Sequence, residues 1–101
     1  MGDPGQARLP GERVGQVVYF IRCAAGPIKI GVAVNLAKRL EALQCASPFR
    51  LDVVACVAGG YDLEAKIHLR LEEHRIRGEW FADTPEVREA IAALVAEAIR
   101  L

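Results

Sequence analysis

The stretch VVYFIRCAAGPIKIGV, residues 17–32, decides the fold of this chain. The run Val17–Ile21 is β-branched and aromatic, and the run Ile28–Val32 is a second short apolar segment. Gly26 and Pro27 stand between the two runs as turn residues. Two strand-like runs around a Gly-Pro turn predict a β-hairpin.

The other elements are predicted outward from this hairpin. Asn35 is a good N-cap for a first helix, and the apolar run Leu51–Val57 predicts a third strand covered on both faces. A second helix is expected from Asp62 to about His74, residues 79–81 form a short extended or irregular piece, and a third helix follows. The predicted fold class is α/β (α+β): a small three-stranded, mainly antiparallel sheet flanked by helices, in the order β-β-α-β-α-(β)-α.

Length and composition favour one folded domain. The chain has 101 residues, which is too short for two independent cores. Of these residues 52% are hydrophobic and 26% are charged, as expected for a folded domain. We expect a flexible tail at residues 1–14, which is rich in Gly and Pro, and a single domain over residues 15–101. No apolar run approaches the about 20 residues that span a bilayer, and the N-terminus has no signal-peptide pattern. A cytoplasmic location without membrane contact is therefore expected.

The charge distribution gives a weak indication of a polyanionic partner. Thirteen basic and thirteen acidic residues give a formal net charge of zero. Residues 13–77 nevertheless carry ten Lys and Arg against six Asp and Glu, whereas residues 78–101 carry two against five. A mildly basic body of this kind can bind a polyanion on one face, although the same asymmetry also arises by chance.

Helical spacing places several charged residues beside the apolar faces of the first two helices. Arg39 falls on the border of the first apolar stripe, where it can reach a ligand or lie along the surface, while Lys38 faces solvent. Glu64, His68 and Arg75 line one edge of the second helix. Glu64 and His68 lie one turn apart, so they can share a metal ion, a water molecule or only a hydrogen bond.

The order of these pieces resembles the start of GIY-YIG nuclease domains. The matching segments are VVY at 17–19, KIG at 29–31, NLAKRL at 35–40 and GEWF at 78–81. With KIG in place of YIG, and with Glu64 and His68 on a later helix, the chain is similar to the compact phage and bacterial branch of that superfamily. The resemblance covers about residues 15–82. The first tripeptide lacks its Gly, and the late Asn of the family has no counterpart here.

The resemblance implies a metal-dependent DNA endonuclease that hydrolyses phosphodiester bonds. Tyr19 would orient or deprotonate the attacking water, Lys29 would assist Tyr19 or bind phosphate itself, and Arg39 would stabilise charge on the phosphate. Glu64 would hold a single Mg²⁺ or Mn²⁺ ion, and His68 would contact the scissile region or a metal-bound water. We expect these five side chains to face one shallow groove, which requires Tyr19 and Lys29 to share a face of the sheet.

The expected macromolecular partner is DNA, bound through Lys38, Arg39 and Arg75, with a partner protein as one source of sequence specificity. Two alternatives stay open at this point. The first is a nucleic-acid-binding module of the same fold that has lost cleavage. The second is a small α/β protein-interaction domain, which the zero net charge permits.

Overall fold

The predicted hairpin forms the centre of the structure, a computed structural model that describes residues 15–99. Its two strands pair antiparallel with Tyr19 opposite Gly31, which confirms the predicted hairpin. The Asn35 side chain accepts a hydrogen bond from the Lys38 backbone N–H at 3.0 Å, so it caps the first helix as expected. In chain order the elements are β1 (Val17–Cys23), β2 (Ile28–Ala33), α1 (Leu36–Cys45), β3 (Leu51–Ala58), α2 (Tyr61–Arg70), β4 (Arg75–Arg77), β5 (Trp80–Phe81) and α3 (Pro85–Ile99).

The sheet has five antiparallel strands in the order β3-β1-β2-β5-β4, so the predicted three-stranded sheet is wrong. The two additional strands, β4 and β5, are only three and two residues long. Strands this short leave no readable alternation in a sequence. They form because β5 pairs with the open edge of β2, with Phe81 opposite Ile28 and Trp80 opposite Lys29.

Two other predicted elements also differ from the structure. β3 is an edge strand beside β1, with Val53 and Val54 exposed, so the prediction of a strand covered on both faces is wrong. An apolar run does not reveal whether a further strand or helix lies beside it. The second helix begins at Tyr61 and ends at Arg70, short of His74, because a 3₁₀ turn at residues 72–74 leads the chain into β4.

The sheet separates two apolar layers of unequal depth. On one side, here called the α3 face, twelve buried residues of the sheet, of α2 and its C-cap, and of α3 pack together, with Phe20 and Phe81 the largest side chains among them. On the other side, here called the α1 face, α1 covers five buried residues that include Tyr19 and Ile21. α1 itself contains no fully buried residue. The α1 face is therefore the thinner of the two layers.

No helix within residues 15–99 is long and apolar enough to cross a membrane. The predicted tail at residues 1–14 lies outside the described residues, as do the last two residues of the chain.

Candidate active site

Tyr19 lies against the backbone of Gly31 on the α1 face. The two residues are opposite each other in β1 and β2, so a side chain at position 31 would project beside the phenol ring. A Cβ added to Gly31 would lie 2.5 Å from Tyr19 Oη and 2.6 Å from Cζ, closer than carbon atoms approach in real structures. Position 31 therefore requires glycine for a steric reason, since its φ is not positive. Tyr19 is fully buried, and its Oη has no hydrogen-bond partner within residues 15–99.

Lys29 and Glu79 form an ion pair beside this phenol. Lys29 precedes Gly31 by two positions on β2, so it shares the sheet face of Tyr19. Its Nζ donates to Glu79 Oε1 at 2.8 Å and lies 5.6 Å from the centre of the Trp80 ring. The same Oε1 would lie 3.0 Å from a Cβ on Gly31. Tyr19 Oη and the Glu79 carboxylate thus converge over the same glycine.

Glu64 brings a second carboxylate to this point from α2. Its side chain is buried, and its Oε2 has no hydrogen-bond partner within the described residues. Burial raises the pKa of Glu64 above the ordinary value of 4.5, and the neighbouring Glu79 carboxylate raises it further, while His68 and Lys29 act in the opposite direction. Because Glu79 raises the pKa of Glu64, the two carboxylates lie close enough to repel each other when both are ionised.

His68 fixes α2 to the edge of the sheet. Ile30 donates its backbone N–H to the Glu79 carbonyl at 2.9 Å, and its carbonyl oxygen lies 2.9 Å from His68 Nε2. A carbonyl oxygen only accepts, so Nε2 carries the hydrogen of this bond. The imidazole also packs on Phe81, with ring centres 5.1 Å apart. His68 therefore places Glu64, one helical turn earlier, beside the end of β2, and its Nε2 is occupied in doing so.

Arg39 and Lys38 lie on α1, outside the cluster of Tyr19, Lys29, Glu64 and Glu79. Both are exposed on α1, and they line a polar cleft of about 380 Å³ whose other walls include Gln16 and Tyr61. The cleft adjoins Ala33, which follows Gly31 by two positions on β2. The cationic side chains predicted to hold phosphate therefore line a separate cleft near the Tyr19 cluster, and within residues 15–99 no hydrogen bond or ion pair joins them to it.

Arg75 does not take the predicted place. It lies in β4, because α2 has already ended, so the helical alignment with Glu64 and His68 is wrong. Its guanidinium binds the Glu72 carboxylate at 2.9 Å and the Gly78 carbonyl, and it packs on Phe81. These internal partners tie Arg75 to the β4–β5 turn.

The structure adds Glu79, Gln16 and Tyr61, which the sequence did not single out. Glu79 belongs to the GEWF segment, but only the pairing of β5 with β2 shows that its carboxylate lies beside Glu64. Gln16 and Tyr61 stand at the starts of β1 and α2, where no spacing rule connects them. Their proximity arises from the tertiary fold.

The oxygen donors of this cluster suit a hard divalent cation. Within residues 15–99 no group of three or more His, Cys, Asp or Glu side chains forms a ready-made cage. Mg²⁺ is usually held through one or two carboxylates, with water and substrate phosphate as the remaining ligands. The partnerless Glu64 Oε2 next to the Glu79 carboxylate fits that pattern.

Comparison with known families bears directly on this cluster, because residues 16–96 match the model of the T5orf172 domain. The chain belongs to the T5orf172 domain family. This family is phage-associated and occurs in a nuclease context. The T5orf172 segment contains every residue of the cluster described above. No curated protein and no solved structure matches the chain.

Proposed function

We propose that this T5orf172 domain is a metal-dependent DNA endonuclease of the GIY-YIG type, which hydrolyses phosphodiester bonds. The observation that carries the proposal is the convergence of Tyr19 Oη and the Glu79 carboxylate over Gly31, with a partnerless Glu64 oxygen beside them. The KIG and NLAKRL segments, the position of Glu64 and the family membership support the same reaction class.

Glu64 would hold a single Mg²⁺ or Mn²⁺ ion, and the neighbouring Glu79 carboxylate adds negative charge that attracts it. When bound, such an ion neutralises charge on the phosphate and makes a bound water more acidic. The repulsion between the two carboxylates, which contributes to the raised pKa of Glu64, would then be relieved.

The chain's own side chains divide the remaining work. Arg39, with Lys38 beside it, would bind the phosphate and stabilise the charge that develops on it. Tyr19 Oη would accept a hydrogen bond from the attacking water and orient it, and the nearby Glu79 carboxylate would receive the water's proton. The water oxygen then bonds to phosphorus while the bond to one ester oxygen breaks, and that leaving oxygen takes a proton from solvent water. Lys29 would keep the Glu79 carboxylate in place through the ion pair already present.

Access to Tyr19 requires a movement in this scheme. The phenol is fully buried beneath neighbouring side chains, whereas the Glu79 side chain retains 40% of its accessible surface. Substrate therefore reaches Tyr19 Oη only after side chains that cover the phenol shift. The buried phenol also favours a second candidate function, a DNA-binding module in which the phenol stays covered and cleavage does not occur.

Plasmid nicking tests the proposal. Supercoiled DNA is incubated with Mg²⁺ or Mn²⁺ and equal amounts of wild type, Glu64→Gln and the control Glu89→Gln, which removes an exposed charge on α3. We expect Glu64→Gln to lose about 10²–10³-fold or more of the nicking rate, because it removes the strong ligand for the metal, and the control to keep it. Equal cutting by wild type and Glu64→Gln would overturn the proposed site. DNA binding without cutting by any of the three proteins would establish the second candidate.

A thermal measurement provides a readout that does not depend on activity. Mg²⁺ added without DNA should raise the melting temperature of wild type and of Glu89→Gln, because a ligand that binds only the folded state stabilises it. Glu64→Gln should not respond. An equal response of all three proteins would place the ion elsewhere.

A further inference from the structure

The polar cleft near the cluster is lined by the side-chain amide of Gln16. Gln16, which is 9% exposed, lines the cleft, and its side chain makes no hydrogen bond within residues 15–99. The carboxamide lies against Gly60, where an added Cβ would be 2.4 Å from Oε1. A carboxamide offers two N–H donors and one oxygen acceptor for hydrogen bonds. The fold therefore presents an unused donor and acceptor to the cleft.

The other walls of the cleft carry cations and an aromatic ring. Lys38 and Arg39 are exposed on α1, and neither forms an ion pair in the described part of the chain. Tyr61, the first residue of α2, also lines the cleft and keeps 69% of its surface exposed. A volume of about 380 Å³ falls within the roughly 300–1,000 Å³ typical of small-ligand sites. These side chains match the parts of a nucleotide: the cations suit its phosphate, the Tyr61 ring can stack on its base, and the Gln16 amide can hydrogen-bond to a polar edge of the base.

The cleft lies near the proposed catalytic cluster along two elements, β2 and α2. On β2, Ala33 of the cleft follows Gly31 of the cluster by two positions, which is about 7 Å of strand. On α2, Tyr61 precedes Glu64 by three positions, less than one turn. A strand whose phosphate lies at the cluster therefore has its adjoining nucleotide within reach of the cleft.

We propose that this cleft is a subsite for one unpaired nucleotide next to the scissile phosphate. The inference rests on the proposed nuclease function and adds a substrate class to it: DNA with single-stranded character at the cut site. A base inside a duplex has both of its faces stacked, so the Tyr61 ring can stack only on a base that is unpaired or turned out of the helix. Tyr61 stacks on that base, Gln16 hydrogen-bonds to it or to its sugar, and Lys38 holds its phosphate.

A binding measurement in EDTA tests the subsite without cleavage. The full chain is titrated against a blunt DNA hairpin and against the same hairpin with a short unpaired end that carries 2-aminopurine, a fluorescent base. The variants are Tyr61→Ala, Tyr61→Phe and the matched control Phe49→Ala, which removes an exposed aromatic ring elsewhere on the surface. All four proteins should show the same circular dichroism, since both rings are largely outside the core.

We expect wild type to prefer the hairpin with the unpaired end and to quench its 2-aminopurine fluorescence. Tyr61→Ala should weaken that binding by about tenfold or more and abolish the quenching, because one base stack is lost. Tyr61→Phe and Phe49→Ala should behave like wild type. Equal affinity of wild type for both hairpins, or equal losses in Tyr61→Ala and Phe49→Ala, would overturn the subsite.

The nicking assay separates this inference from the function on which it rests. If Tyr61→Ala retains the preference for unpaired DNA while nicking still depends on Glu64, the subsite is wrong and the nuclease proposal stands. If no protein nicks any DNA but Tyr61→Ala loses the preference, the subsite is supported and the domain binds DNA without cleaving it.

Discussion

The two faces of the sheet differ in what they bury. The α3 face buries a continuous apolar layer of twelve residues, and all of its side chains there are hydrocarbon or aromatic. The α1 face buries only five residues, and one of them is Tyr19, whose hydroxyl has no partner within the described chain. The partnerless carboxylate oxygen of Glu64 lies at the β2 edge near the same phenol.

The difference separates an apolar layer that stabilises the fold from the layer beside the proposed site. Burying apolar surface on the α3 face stabilises the fold, because it removes hydrocarbon from water without leaving polar groups unpaired. The cluster near the α1 face instead keeps polar atoms away from water without hydrogen bonds, which is unfavourable for folding and useful for binding a cation and a phosphate. The predictions below test this separation in order of decreasing effect on stability.

The largest effect is expected from a truncation in the α3 face. Phe20→Ala removes a fully buried ring from the central strand and should lower the free energy of unfolding by about 3–5 kcal/mol. Leu40→Ala, on the half-buried inner side of α1, should lower the free energy of unfolding clearly less than Phe20→Ala does. Urea denaturation measures both. Equal losses would show that the two faces stabilise the fold equally and would remove the basis of the comparison.

A smaller loss is expected where an added methyl group meets the buried phenol. Gly31→Ala forces Tyr19 to move, since its Oη would be 2.5 Å from the new Cβ, and overpacking of this kind costs about 1–3 kcal/mol. The rate of metal-dependent nicking should fall further than this modest loss of stability accounts for, because Tyr19 and Glu79 converge at that point. The combination Gly31→Ala with Tyr19→Phe should remain inactive. Wild-type nicking by Gly31→Ala would show that Tyr19 does not act in the reaction.

The smallest effect on stability is expected from Glu64→Gln, which should stabilise the fold rather than destabilise it, by an amount that depends on pH. The pKa of Glu64 is raised in the folded state, so its contribution to stability is fully present below about pH 4.5 and is lost as the pH rises through the folded-state pKa. Glu64→Gln cannot ionise, so without metal it should be more stable than wild type at pH 7–8. That advantage should shrink as the pH falls below 4.5.

Melting curves across this pH range, with Glu89→Gln as the charge control, measure the difference. The control should follow wild type at every pH, because Glu89 is exposed on α3. A Glu64→Gln variant that is less stable than wild type at pH 8 would contradict the assignment of Glu64 as a repelled carboxylate.

Local sequence signals predicted the parts of the fold that depend on neighbouring residues. The hairpin, the Asn35 cap and the placement of Tyr19 and Lys29 on one sheet face all follow from strand alternation and turn residues. The number of strands did not follow, since β4 and β5 exist only because they pair with β2. The exposure of β3 did not follow either, because an apolar run is the same whether its strand is central or at an edge.

The sequence by itself determined the hairpin, the helix carrying Glu64 and His68 on one side, and the resemblance that gave Tyr19, Arg39 and Glu64 their proposed roles. Only the tertiary structure decided that Glu79 lies beside Glu64, that Gln16 and Tyr61 face one cleft, and that Arg75 is bound to Glu72. The physical reason is sequence separation. Contacts within a turn or helix are set by backbone geometry, whereas contacts between distant segments depend on which edges and faces of the whole chain remain to be covered.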